Sequence, residues 1–178
     1  MSGVLCRIEA CIPALRRYAF ALLRSQQDAD DLVQDTLLRA LEKLHTRRDE
    51  AEVRPWLFAI LHNSFVSQIR RGKVRLGTQM LDPAEEAALS RNGGQEDSLR
   101  CRDLLRALKC LPLEQRTVVL LVSVEDLSYA EVARVLGVPI GTVMSRLFRA
   151  RERLREMTEG QATRNDGEAT RPCLRRVK

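Results

Sequence analysis

The sequence predicts an all-α protein of two small helical bundles joined by a flexible linker, the second containing a helix-turn-helix. Three observations carry this. Apolar residues recur at helical spacing through most of the chain. That pattern fails once, between residues 72 and 98, where Gly, Pro and mixed charge take over. Finally, LSYAEVARVLGVPIGTVMSRLFRARERLRE, residues 127–156, reads as two short helices around a tight turn. The expected division is a first unit over 1–72, a linker over 73–98, a second unit over 99–157 and a disordered tail over 158–178.

The first unit carries three helical patterns. The first is expected over 12–24, with Leu15, Ala19, Leu22 and Leu23 inward and Arg16, Arg17 and Arg24 outward. The second, DADDLVQDTLLRALEKL, opens with Asp28, Asp30 and Asp31, which suit the positive end of a helix dipole. Its inward side is Leu32, Val33, Leu37, Ala40, Leu41 and Leu44, which leaves Asp31, Gln34, Asp35 and Glu42 as an acidic outer face. The third starts near Pro55, a good first helical residue, and runs through WLFAILHNSFVSQIRR until Gly72 stops it. Its apolar residues wrap most of the way round, so it should be the central helix of the bundle.

Periodicity returns at Leu99 with Leu104, Leu105, Leu108 and Leu111, then Pro112 and a further helix carrying Val118, Val119, Leu121 and Val122. Ser128 can cap the next helix, over 129–136, and Glu131 three residues later completes a capping box. Gly137 ends that helix, because glycine tolerates the left-handed conformation of a helix C-terminus, and Pro139 sits where the next one begins. In that last helix Val143, Leu147, Ala150 and Leu154 form one apolar stripe. Thr142, Ser145, Arg146, Arg149 and Arg153 fall on the other side. Arginine grips phosphates or pairs bidentately with guanine, and hydroxyls contact backbone or base, so this face suits a major groove. The alternative is a solvated basic face on an ordinary helical hairpin.

Composition narrows the function classes. A net charge of +6 favours a polyanionic partner. Aromatic residues make up only 4% of the chain, which argues against a sheet that stacks single-stranded bases. No apolar run reaches the length of a membrane span, and the N-terminus lacks the order of a secretion signal, so membrane insertion is not expected and a cytoplasmic protein is. The five cysteines, Cys6, Cys11, Cys101, Cys110 and Cys173, show no zinc-like spacing; they read as reduced thiols, most of them small apolar fillers. Neither metal nor cofactor is expected. His45 and His62 are the only histidines, and with no Gly-rich phosphate loop or nucleophile pattern nothing organises catalysis.

The succession LVQDTLLRAL, RPWLFAILHN and LSYAEVARVLGVPIGTVMSRLFRARERLR closely resembles bacterial sigma factors of the extracytoplasmic-function (ECF) type, in the sigma-70 superfamily, over residues 12–156. The resemblance implies a dissociable specificity subunit of RNA polymerase, with promoter DNA as its second partner and control by an anti-sigma factor. Its first domain would hold the β′ coiled coil through Asp31, Gln34 and Asp35 and melt the −10 element. There Trp56 would support the fold, Asn63 would meet a base flipped from the non-template strand, and His62 would be structural or a helper beside Asn63. An amide both donates to and accepts from a base edge, which makes that role chemically sound. Just beyond, the cluster of Arg70, Arg71, Lys73 and Arg75 is a candidate for holding phosphates, the alternative being a solvated basic run.

The second domain would hold the β-flap and read the −35 element. Ser145, Phe148 and Arg149 would approach bases, and Thr142, Arg146 and Arg153 would lie nearer phosphates. Phe148 reads equally as a thymine-methyl contact or as a wedge against the domain core. Met144 departs from the family, many members of which carry a basic residue there. Rival readings are a stand-alone helix-turn-helix repressor, for which no dimerisation or ligand-binding domain is spare, and a sigma-like decoy that sequesters an anti-sigma factor.

Overall fold

A computed structural model of the chain describes residues 2–44, 52–72, 107–108 and 110–168. Every regular element among those residues is a helix, with no strand among them. The N-terminal unit is a bundle of α1 (Ser2–Leu23), α2 (Gln26–Glu42) and α3 (Val53–Arg70). The C-terminal unit contains α4 (Leu113–Val119), a π-helical turn over Leu120–Val124, α5 (Tyr129–Leu136) and α6 (Ile140–Glu168).

As its apolar pattern requires, α3 is central: it packs on α1, on α2 and, across the units, on α5. Leu57, Phe58, Leu61 and Phe65 are fully buried along it. The two units share one continuous core, in which the π turn also meets α1. The expected linker and the stretch holding Leu104 and Leu105 lie outside the described residues, as do Lys73, Arg75, His45, Cys101 and Cys173. Leu108 and Leu111 are buried.

Several local expectations hold in detail. Ser128 Oγ accepts from the Glu131 amide at 3.3 Å while a Glu131 carboxylate oxygen accepts from the Ser128 amide at 2.7 Å, which is the reciprocal capping box. Gly137 takes φ +64°, a left-handed conformation that any side chain strains. The Pro139 carbonyl accepts from the Thr142 and Val143 amides and so starts α6.

Other expectations change. Helix α1 begins at Ser2, not near residue 12, with Pro13 inside it. Ile8, Cys11, Leu15, Tyr18 and Leu22 are buried at alternating spacings of three and four, and this stripe carries the helix past the proline. In α2, Leu41 is exposed; Thr36 fills the core instead, its hydroxyl donating to the Leu32 carbonyl at 2.7 Å. Helix α6 continues beyond Met157, the expected start of the tail, to Glu168, since helix propagation needs only one bond per added residue and no proline intervenes. Among the described cysteines, Cys11 is buried whereas Cys6 and Cys110 are exposed, so the apolar-filler reading holds for Cys11 alone of the three.

Candidate nucleic-acid and partner interfaces

Helix α6 is held by its inner face. Val143, Leu147 and Ala150 are buried against the rest of the unit, which fixes the rotation of the helix and sends Ser145, Phe148 and Arg149 outward. Phe148 is 67% exposed, so its ring stands off the domain core and the wedge reading is excluded. Met144 and Ile140, one and two turns earlier on the same side, are also exposed. The Ser145 hydroxyl donates to the Thr142 carbonyl at 3.1 Å, and Thr142 is half-buried.

The other arginines of α6 are placed differently. Arg146 turns back to Glu114 at the start of α4, 2.7 Å away, with its side chain 23% exposed. Arg153 donates to the Gln115 Oε1 at 3.1 Å. Both tether α6 to α4. Arg149 is exposed on the outer face, away from the buried Val143, Leu147 and Ala150.

On α3 the residues expected near the −10 element divide into two groups. Asn63, Arg70 and Arg71 are exposed, and Asn63 and Arg70 lie two turns apart on one side of the helix. Trp56 is half-buried against the core. His62 points inward: its Nδ1 shares a 3.3 Å hydrogen bond with the Tyr18 hydroxyl, and its ring lies 6.4 Å from that of Phe65. Burial holds its pKa down at about 4, so the imidazole is neutral at physiological pH. Tyr18 is itself sealed in by an edge-to-face contact with Phe58 at 5.4 Å, and burial raises its pKa well above the ordinary phenol value.

On α2, Asp31, Gln34 and Asp35 are exposed together as the sequence predicts, but the stripe does not stop there. Leu38, 60% exposed, and Leu41 continue it along the same face. Sequence reasoning passed over Leu38 and placed Leu41 inside. The available signal was the position of Leu38, which at about 100° per residue falls on the side of α2 opposite Leu32, Val33 and Ala40.

Residues 8–62 match the family Sigma2 domain of PhyR, and residues 101–154 match Sigma-70, region 4. Over 147 residues the chain is 37% identical to the ECF RNA polymerase sigma factor EcfG of Rhodopseudomonas palustris, covering 83% of this chain and 80% of that one. The chain belongs to the ECF sigma factors. It is also 32% identical to the RNA polymerase sigma factor SigV of Bacillus subtilis, over 78% of this chain and 81% of SigV. Among solved structures, this sigma factor superimposes on RpoE of Bartonella quintana, crystallised with the anti-sigma factor NepR, with a TM-score of 0.73 and 32% identity over 89% of this chain and 98% of RpoE. CnrH, in complex with the cytosolic domain of CnrY, gives 0.65 at 25% identity over 88% of each chain. Like its family, the sigma factor binds core RNA polymerase and directs initiation at promoters with a −35 and a −10 element. Among its described residues no helix is long and apolar enough to cross a membrane.

Proposed function

We propose that this sigma factor divides its work among three surfaces. The α2 stripe of Asp31, Gln34 and Asp35, extended by Leu38 and Leu41, holds the β′ coiled coil; acidic residues beside exposed leucines suit a helical partner that is basic and apolar along one edge. Asn63 on α3 takes a −10 base once the duplex is unstacked, with Arg70 and Arg71 on the phosphates beyond it. The outer face of α6 reads the −35 element through Ser145, Phe148 and Arg149, and the unit that carries it holds the β-flap.

The observation that carries this reading is the rotation of α6. Its buried Val143, Leu147 and Ala150 leave a hydroxyl, an aromatic ring and a guanidinium on the surface opposite. Those are donors and apolar contacts suited to base edges in a major groove. Arg146 and Arg153, tied to Glu114 and Gln115, serve the phosphates only by exchanging those partners. His62 supports Asn63 from behind, as a packed neutral ring.

The protein acts in the cytoplasm, without catalysis of its own, and an anti-sigma factor controls it. RpoE was solved with the anti-sigma factor NepR, which supports that regulation here. Multi-round transcription of a genomic fragment library by purified bacterial core polymerase, with and without the protein, tests the reading. Transcript starts sharing a two-element upstream motif are expected. No new starts, alongside intact binding of an anti-sigma factor, would return the decoy reading.

A further inference from the structure

We propose that Met144, with Phe148 one turn later, forms an apolar ridge that selects thymine in the −35 element, covering the 5-methyl groups of two bases no more than two steps apart. The inference deepens the −35 reading of α6 and rests on it.

The ridge follows from the rotation of the helix. At about 100° per residue, Ile140, Met144 and Phe148 share one side of α6, between the buried line of Val143, Leu147 and Ala150 and the polar line of Ser145 and Arg149. They are 46%, 47% and 67% exposed, so the packing of the C-terminal unit ends before it reaches them. Large apolar side chains on three successive turns make a continuous patch, and such patches mark binding surfaces. A merely solvated helix face carries polar residues instead. Methionine, unbranched and polarisable, adapts its shape to an apolar contact.

The surroundings of the ridge point to duplex DNA as its occupant. The ridge starts at the first residue of α6, and in helix-turn-helix readers it is the N-terminal part of the recognition helix that meets base edges. Gly141 lies between Met144 and Ser145 around the helix. A Cβ at that position would meet no atom within 4 Å, so the first turn is open to close approach. Arg151, exposed, follows Phe148 along the ridge side. Apolar residues first and a guanidinium after them match base edges inside a groove and phosphates at its rim. The net charge of +6 favours the same polyanion.

Thymine alone carries a methyl group in the major groove, so an apolar contact there separates it from the other three bases. Residues four apart on a helix are about 6 Å apart along its axis. That is less than two base-pair rises of about 3.4 Å, which places the two methyl groups within two steps of each other. Where many family members carry a basic residue, Met144 thus exchanges a charged contact for a preference between bases. Ser145 and Arg149 supply the polar contacts beside it.

Transcription by core polymerase reconstituted with the full chain tests the ridge, on a promoter taken from start-site mapping. Thymines of the −35 element are replaced by deoxyuridine, singly and together, which removes only the 5-methyl group. Two uracil positions within two steps should each lower initiation about fourfold, the effect of one buried methyl-sized group, and together about 15-fold. Met144→Ala should lower initiation about fourfold on the thymine template and cancel the effect of one of those uracils, while the other uracil still acts. Because Met144 is exposed, alanine leaves the packing of α6 intact, and circular dichroism should show unchanged helicity. Uracil templates as active as the thymine template, or a Met144→Ala protein that keeps both uracil effects, overturn the ridge. Start-site mapping with wild type is scored separately: absent starts defeat the sigma reading, whereas mapped starts with indifferent uracil templates defeat only the selection of thymine.

Discussion

Arg149 and His62 show how one helix rotation decides what a side chain can do. Arg149 faces away from the buried stripe of α6, so Arg149→Ala should remove a base contact while leaving the fold untouched. A loss of about 1–3 kcal/mol is expected, read as a drop of roughly five- to 150-fold in transcription from a cognate promoter, with core-polymerase affinity unchanged. His62, turned the other way, acts on stability. Its folded pKa of about 4 lies below the ordinary 6.5, so above 6.5 both states are neutral and its contribution is constant. As pH falls below 6.5 the unfolded chain takes up a proton that the folded chain resists, and stability is lost down to about 4. Urea unfolding should show a decline of about 2 kcal/mol from this group between pH 7 and 4.5, largely absent in His62→Gln. Sequence left His62 between two roles, because a histidine on an all-round apolar helix reveals its direction only when the partner, Tyr18 on α1, is placed.

Elements were legible where a local rule acts alone. Helix α5 lies where Ser128, Glu131 and Gly137 mark its ends, and the stripe on α6 is the one that periodicity gives. Ser128→Ala should lower stability by about 1 kcal/mol, seen as a reduced melting temperature, because it removes the Oγ that accepts from the Glu131 amide and leaves only the backbone half of the reciprocal cap. The α2 face was read in part. Its acids were evident, but Leu38 and Leu41 were not, since a leucine on a helix is inward by default and only the burial of Thr36 shows the core already filled there. Leu38→Asp should weaken binding to core polymerase at least tenfold in a competition assay while leaving helicity unchanged, whereas a solvated face would tolerate it. The early start of α1 was missed because the apolar stripe was read only from residue 12, whereas Ile8 and Cys11 extend it and their packing carries the helix past Pro13.

At the scale of the molecule, sequence announced two units and a connection between them but not that the units meet. Periodicity reports which face of a helix is apolar and not which neighbour covers it; Glu125, in a polar stretch between two helices, carries no mark of burial. The seam is visible only once α1 and α3 present Arg17 and Arg54 to the π turn. Because the apolar core runs on through that seam, heating should melt the closed protein as one unit. Scanning calorimetry should record a single endotherm whose calorimetric and van't Hoff enthalpies agree. Opening the seam would divide that heat between two smaller transitions. The thermal cooperativity of the free protein thus reports directly on whether its two DNA-facing units are coupled.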